Sequence, residues 1–133
     1  MRKPSLKTLR KKAISAMSKY IIARDYGICC TCKGKGNQAG HFFPSGFWGT
    51  RFDERNVHCQ CYRCNIPLKG NMIAYYEFME NKYGKKIIEQ LKKQSHWTLI
   101  EFAQTFYNKG VNTTRWAYEL VIEHYTKKLE GLK

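Results

Sequence analysis

The feature that most constrains the fold of this chain is a pair of C-x-x-C steps, Cys29/Cys32 and Cys61/Cys64. A C-x-x-C turn places both sulfurs on one side of a tight knuckle, and two facing knuckles complete a tetrahedral four-thiolate zinc shell. Such a shell leaves no open coordination position. The zinc it holds is structural, and its binding free energy is folding free energy. The competing reading of six cysteines in 133 residues is a secreted disulfide framework. The N-terminal run MRKPSLKTLRKK is basic but leads into no apolar signal segment, so a metal site in a reducing compartment, the cytoplasm, is expected. Cys30 and Cys59 are surplus to the shell. They are expected as small buried thiols, with a swap for one of the four ligands as the alternative.

Hydrophobic periodicity surrounds this zinc region with helices. From Ser5 to Asp25, apolar residues recur every three or four positions (Leu6, Leu9, Ala13, Ala16, Met17, Tyr20, Ile21), with Lys7, Arg10, Lys11, Lys12 and Lys19 largely off that stripe. Between Gly27 and Gly49 the helical period is lost. Short strands are expected over Asn37–Phe43 and Arg55–Gln60, joined through a loop at Pro44–Gly49. A helical piece starts at Cys61 and is cut short near Pro67. Beyond Gly70 the pattern is all-helical: Asn71–Tyr83, Lys85–Lys93, a helix to about Tyr107 opened by a capping box at Thr98–Glu101, and a last helix from Thr113 or Thr114 through Leu129. The expected architecture is α+β in one domain, 1–133. A basic N-terminal helix (1–26) and a helical C-terminal part (71–133) flank a small zinc-braced core (27–70). No apolar run approaches the ~18 residues a membrane-spanning helix needs, so no membrane partner is expected.

The net charge is +14, from 24 Lys+Arg against 10 Asp+Glu. An excess of that size predicts a polyanionic partner, because each phosphate contact made by Lys or Arg releases counterions. Nucleic acid is the expected partner, and a merely soluble or lipid-binding basic protein is the alternative.

Chemistry beyond the zinc rests on the stretch QAGHFFPSGFWGTRFDERNVHCQCYRCN, residues 38–65. Strand, loop, strand and helix, braced by zinc, should bring His41, Asn56, His58 and Asn65 to one surface. A neutral imidazole can take a proton from an attacking water. A divalent cation on oxygen ligands can stabilise a phosphorane and its leaving oxygen. An asparagine can orient the histidine or its strand. These residue types together suggest phosphodiester hydrolysis. For His41 the competing role is structural, or as an alternative zinc ligand. His58 follows Asn56 by two positions and is expected on the same side. Arg51, Arg55, Arg63 and Lys69 are expected at phosphates. Trp48 is expected either against an unstacked base or in the core.

The order His, Asn, then C-x-x-C followed by Asn resembles the HNH (ββα-metal) nucleases with a treble-clef zinc. More narrowly, QAGHF, RFDERNVHCQCYRCN and KGN resemble the phage NinG/Rap recombination proteins, from Cys29 to about Gly84. The resemblance implies a DNA endonuclease acting on branched recombination intermediates such as Holliday junctions and D-loops. It assigns His41 as general base, Asn56 as the orienting asparagine and Asn65 as a residue near a catalytic Mg2+ or Mn2+. Many HNH nucleases carry an aspartate metal ligand directly before the base, where this chain has Gly40. His58 and Asp53 are the nearest substitutes. The family also implies recombination proteins as partners. A symmetric junction would favour a homodimer, with Tyr76, Trp97, Phe106 and Trp116 as interface candidates. The rival functions are a non-catalytic zinc module for branched or single-stranded DNA, a nicking or homing nuclease on linear duplex, and an RNA-binding zinc protein.

Overall fold

Ser5 opens the first helix. Its hydroxyl accepts the Thr8 N–H at 3.1 Å and removes one of the unpaired donors every helix start leaves. The computed structural model describes residues 2–133. Its elements run α1 (Leu6–Arg24), β1 (Gln38–His41), β2 (Val57–Gln60), α2 (Tyr62–Asn65), α3 (Met72–Tyr83), α4 (Lys85–Gln94), α5 (Leu99–Tyr107) and α6 (Thr114–Glu130). The architecture is a helical assembly around one two-stranded antiparallel sheet.

The stripe expected on α1 is the one it buries: Leu9, Ala13, Met17, Tyr20 and Ile21. They pack against α6 through Ala117, Tyr118, Leu120, Val121 and Tyr125, with Phe52, Val57, Phe102 and Val111 completing the core. The Tyr125 hydroxyl donates to the Phe52 carbonyl and so ties α6 to the loop before β2. Lys7, Arg10, Lys11, Lys12 and Lys19 remain exposed, so α1 presents a basic outer face. A second cluster (Cys30, Phe42, Tyr75, Met79, Ile88 and Leu91) joins α3 and α4 to the zinc region. The capping box at Thr98 forms as expected: its hydroxyl accepts the Glu101 N–H and the Glu101 carboxylate accepts the Thr98 N–H.

Both strands are shorter than their sequence pattern predicts. Register pairs Gln38 with Gln60, Ala39 with Cys59, Gly40 with His58 and His41 with Val57. Beyond His41 the ladder passes from backbone to side chain. The Phe42 N–H still reaches the Asn56 carbonyl at 2.8 Å, but the Phe43 N–H is taken by Asn56 Oδ1, also at 2.8 Å. From Pro44 to Asn56 the chain runs as successive turns, Phe47 N–H to Pro44, Thr50 to Phe47, Asp53 to Thr50 and Asn56 to Asp53.

Candidate metal centre and cleft

The four cysteines of the two C-x-x-C steps converge, with their sulfurs all within 4.8 Å of one another. They are the only such group of metal-binding side chains among the described residues. Cys32 and Cys61 sulfurs lie 3.7 Å apart. The edge of a tetrahedral zinc–thiolate shell with ~2.3 Å bonds is about 3.8 Å, so the donor set fits zinc. The surrounding donors suit thiolates. The Gly34 N–H points at Cys32 Sγ (3.4 Å), the Cys64 N–H at Cys61 Sγ (3.4 Å), and the Asn71 amide at Cys64 Sγ (3.7 Å). Cys30 and Cys59 stay outside the cluster as buried thiols. Burial pushes the Cys59 thiol up to about 11 and Cys30 higher still.

Beside the zinc knuckles, β1, the 44–51 loop and the α2–α3 turn enclose an open cleft of about 550 Å³, lined in part by His41, Ser45, Arg51, Asn65 and Lys69. His41 Nε2 is 3.0 Å from the Arg51 carbonyl. A carbonyl can only accept, so Nε2 carries the proton and Nδ1 is the ring's free acceptor. Burial holds the imidazole down to about 4, with the nearby Arg51 charge acting in the same direction, so the ring is neutral at pH 7. Asn65 Nδ2 donates to Gln38 Oε1 at 2.8 Å, which leaves Oδ1 uncommitted. Arg51 donates through Nη1 to the Ser45 carbonyl at 2.9 Å and stacks over Trp48 at 4.8 Å, yet its buried Nε has no partner. No aspartate or glutamate lines the cleft.

Asn56 is fully buried and braces the cleft's loop. Its Nδ2 donates to the Phe43 and Thr50 carbonyls at 3.0 and 3.2 Å. Arg63 and Lys69 are exposed on and just after α2, free for a polyanion.

The structure corrects three expectations, for His58, Asp53 and Arg55, and decides between two for Trp48. His58 does not join His41. The two-residue alternation of the ribbon puts it on the face of its register partner Gly40, where it is 1% exposed and both ring nitrogens meet tyrosine hydroxyls. It has no nitrogen free for a metal. Asp53 is consumed in the interior: its carboxylate takes both Arg55 and the Gln94 amide. Arg55 is thereby withdrawn from phosphate contact, and its guanidinium lies over Phe106. Trp48 packs beside Phe52 and Tyr118 at the edge of the main core, with Arg51 stacked on it.

Residues 1–114 match the family described as Bacteriophage Lambda NinG protein. The chain belongs to the NinG family. It is 30% identical over 99 residues to Protein ninG of Enterobacteria phage H19B and of Salmonella phage P22, and 28% identical to that of Escherichia phage lambda. Each alignment covers 68% of this chain, and the chain spans about half the length of these relatives, 49% for the first two and 48% for the lambda protein. No solved structure matches it. No helix among the described residues is long and apolar enough to cross a membrane.

Within this NinG chain, sequence reasoning overlooked three supporting residues. Gln38 fixes the Asn65 amide, and Thr31 holds both Cys29 Sγ (3.3 Å) and the Gln60 amide (3.1 Å). Asn71, the last residue of KGN, ends three successive left-handed positions, Lys69, Gly70 and Asn71 at φ 50°, 92° and 51°. Asparagine tolerates that region, and here its amide also reaches the Cys64 sulfur of the cysteine cluster. The Asx residue after a glycine was the available signal. Gly40 has a steric cause instead. A Cβ there would strike the Gln60 side chain, which is pinned by its Nε2 to the Gly70 carbonyl and Thr31, so no aspartate fits directly before His41.

Proposed function

We propose that this chain is a structure-selective, metal-dependent DNA endonuclease, with a ββα-metal site built on a treble-clef zinc brace. The observation that carries the reading is the His41 ring, locked by the Arg51 carbonyl so that Nδ1 is free in a cleft with Arg51, Lys69 and Asn65. Neutral His41 takes a proton from the attacking water as its oxygen bonds to phosphorus, and the bond to the 3′ oxygen breaks. The leaving oxygen is protonated from solvent. Arg51 and Lys69, both lining the cleft, hold the phosphate. Asn65 Oδ1 is the protein's uncommitted oxygen for Mg2+ or Mn2+. When bound, such a cation stabilises charge on the phosphate and the leaving oxygen. With no carboxylate in the cleft, it would retain much of its water and hold weakly without substrate.

Branched DNA is the proposed substrate and partner, from the +14 charge and the resemblance to recombination nucleases. The test is cleavage of a labelled four-way junction against a linear duplex of the same sequence. Preferential cutting of the junction supports the reading. Equal cutting would favour a nicking enzyme on linear duplex. A second reading, a zinc module that binds branched DNA without cutting it, draws support from the absence of a carboxylate ligand. Binding without cutting under either cation would establish it.

A further inference from the structure

We infer that His58 is a positioning residue for the His41 site, acting through Tyr75 on the Gly40 carbonyl. The inference rests on the nuclease reading above. His58 lies in the interior, with Nδ1 3.1 Å from the Tyr75 hydroxyl and Nε2 2.8 Å from that of Tyr83. The Tyr75 hydroxyl lies 2.7 Å from the Gly40 carbonyl oxygen.

Elimination fixes the direction of every bond. A carbonyl has no proton to give, so Tyr75 donates to Gly40. With its own proton committed, the Tyr75 oxygen accepts from His58, and Nδ1 carries the hydrogen. A neutral imidazole then leaves Nε2 bare, and Tyr83 donates to it. Desolvation keeps the ring neutral, pulling His58 down to about 3, with the Arg24 charge acting the same way. The result is a one-way relay from Tyr83 through His58 and Tyr75 to the peptide that joins Gly40 to His41.

That peptide is paired with His58 in a short ladder, and the Tyr75 hydroxyl adds its one side-chain bond to another element. β1 is four residues long, its one partner is β2, and Gly40 has no side chain with which to pack. Glycine also gives the backbone its widest freedom. The Arg51 carbonyl fixes the His41 ring at its tip. Tyr75, from α3, fixes the peptide at its root. Loss of either anchor lets Nδ1 drift, and a displacement of about 1 Å at a reacting group can cost ~100-fold in rate.

The discriminating variants are Tyr75→Phe, which removes one hydroxyl and keeps the ring, His58→Asn, whose amide can still donate towards Tyr75, and His58→Leu, which cannot. Junction cleavage is measured for each with zinc content and thermal midpoint. The expected result is a kcat lower by about 10–100-fold in Tyr75→Phe and His58→Leu with little change in KM, and recovery of most of it in His58→Asn. Zinc content stays the same. A kcat in Tyr75→Phe equal to wild type overturns the inference. So does activity that follows thermal midpoint alone across the set. If His58→Asn does not fold, Tyr75→Phe decides. If wild type does not cut, the nuclease reading fails instead. The relay is then read from the 15N shifts of the His41 ring, which should move in Tyr75→Phe; unchanged shifts would refute it.

Discussion

At the scale of single residues, the site turns on hydrogen-bond directions that composition alone does not fix. His41, the proposed base, has its folded pKa held near 4, below the ordinary value of 6.5. It is fully unprotonated at pH 7 but only weakly basic, so the acid limb of a cleavage pH profile should fall nearer 4 than 6.5. A midpoint at 6.5 would show an exposed ring and contradict the packing. His58 is pulled down further, to about 3. A histidine depressed on folding binds its proton more readily when unfolded, so its contribution to stability is complete above pH ~6.5 and is lost as pH falls through 6.5 towards 3. Thermal midpoints of wild type should therefore fall more steeply between pH 6.5 and 4 than those of His58→Asn, measured side by side with zinc saturating. Asn56→Asp should be worse than Asn56→Ala. The carboxylate would face the two carbonyls that the amide now satisfies, and an unpaired buried charge costs more than the ~1–3 kcal/mol of an unsatisfied neutral group. Thermal denaturation of both variants checks the order.

At the scale of elements, the sequence carried the helices well because each has a periodic apolar face and a chemical start or stop. Ser5, Thr98 and Thr113 cap as their side chains suggest, and the stripe on α1 is the one that packs on α6. The C-x-x-C steps were equally legible, since thiol spacing encodes a knuckle. The strands and the site were legible only in part. Asn56 looked like a strand residue and proved to be a turn residue that continues the ladder with its amide. His58 and Arg55 were misplaced for a shared reason. Facing direction in a short twisted ribbon is a tertiary fact, and so is the burial of Asp53 against Gln94 that draws Arg55 inward. The zinc brace yields its own prediction. Cys61→Ser should abolish stoichiometric zinc and unfold the knuckles, since structural zinc contributes about 10–16 kcal/mol in small zinc domains. Metal analysis with circular dichroism tests this, and an intact fold without zinc would sink it.

At the scale of the whole molecule, the four-cysteine cluster and the cleft share α2 but differ in chemistry. Cysteines hold the polypeptide, and the cleft presents one free imidazole nitrogen, one free amide oxygen and two cationic side chains with no carboxylate among them. Lys69 lines the cleft, and the outer face of α1 and Arg63 are exposed positive charge elsewhere on the surface. DNA binding should weaken steeply with salt, and Arg51→Ala should reduce affinity or raise KM more than Arg55→Ala does, because Arg55 is spent on Asp53. The account stands or falls on His41. The most direct measurement is cleavage of a labelled four-way DNA junction in Mg2+ and in Mn2+, comparing wild type with His41→Ala at matched zinc content. The account predicts metal-dependent cutting by wild type and a loss of at least about 100-fold in the variant, which still binds the junction. Binding without cutting by wild type under both cations, or undiminished cutting by His41→Ala, would contradict it.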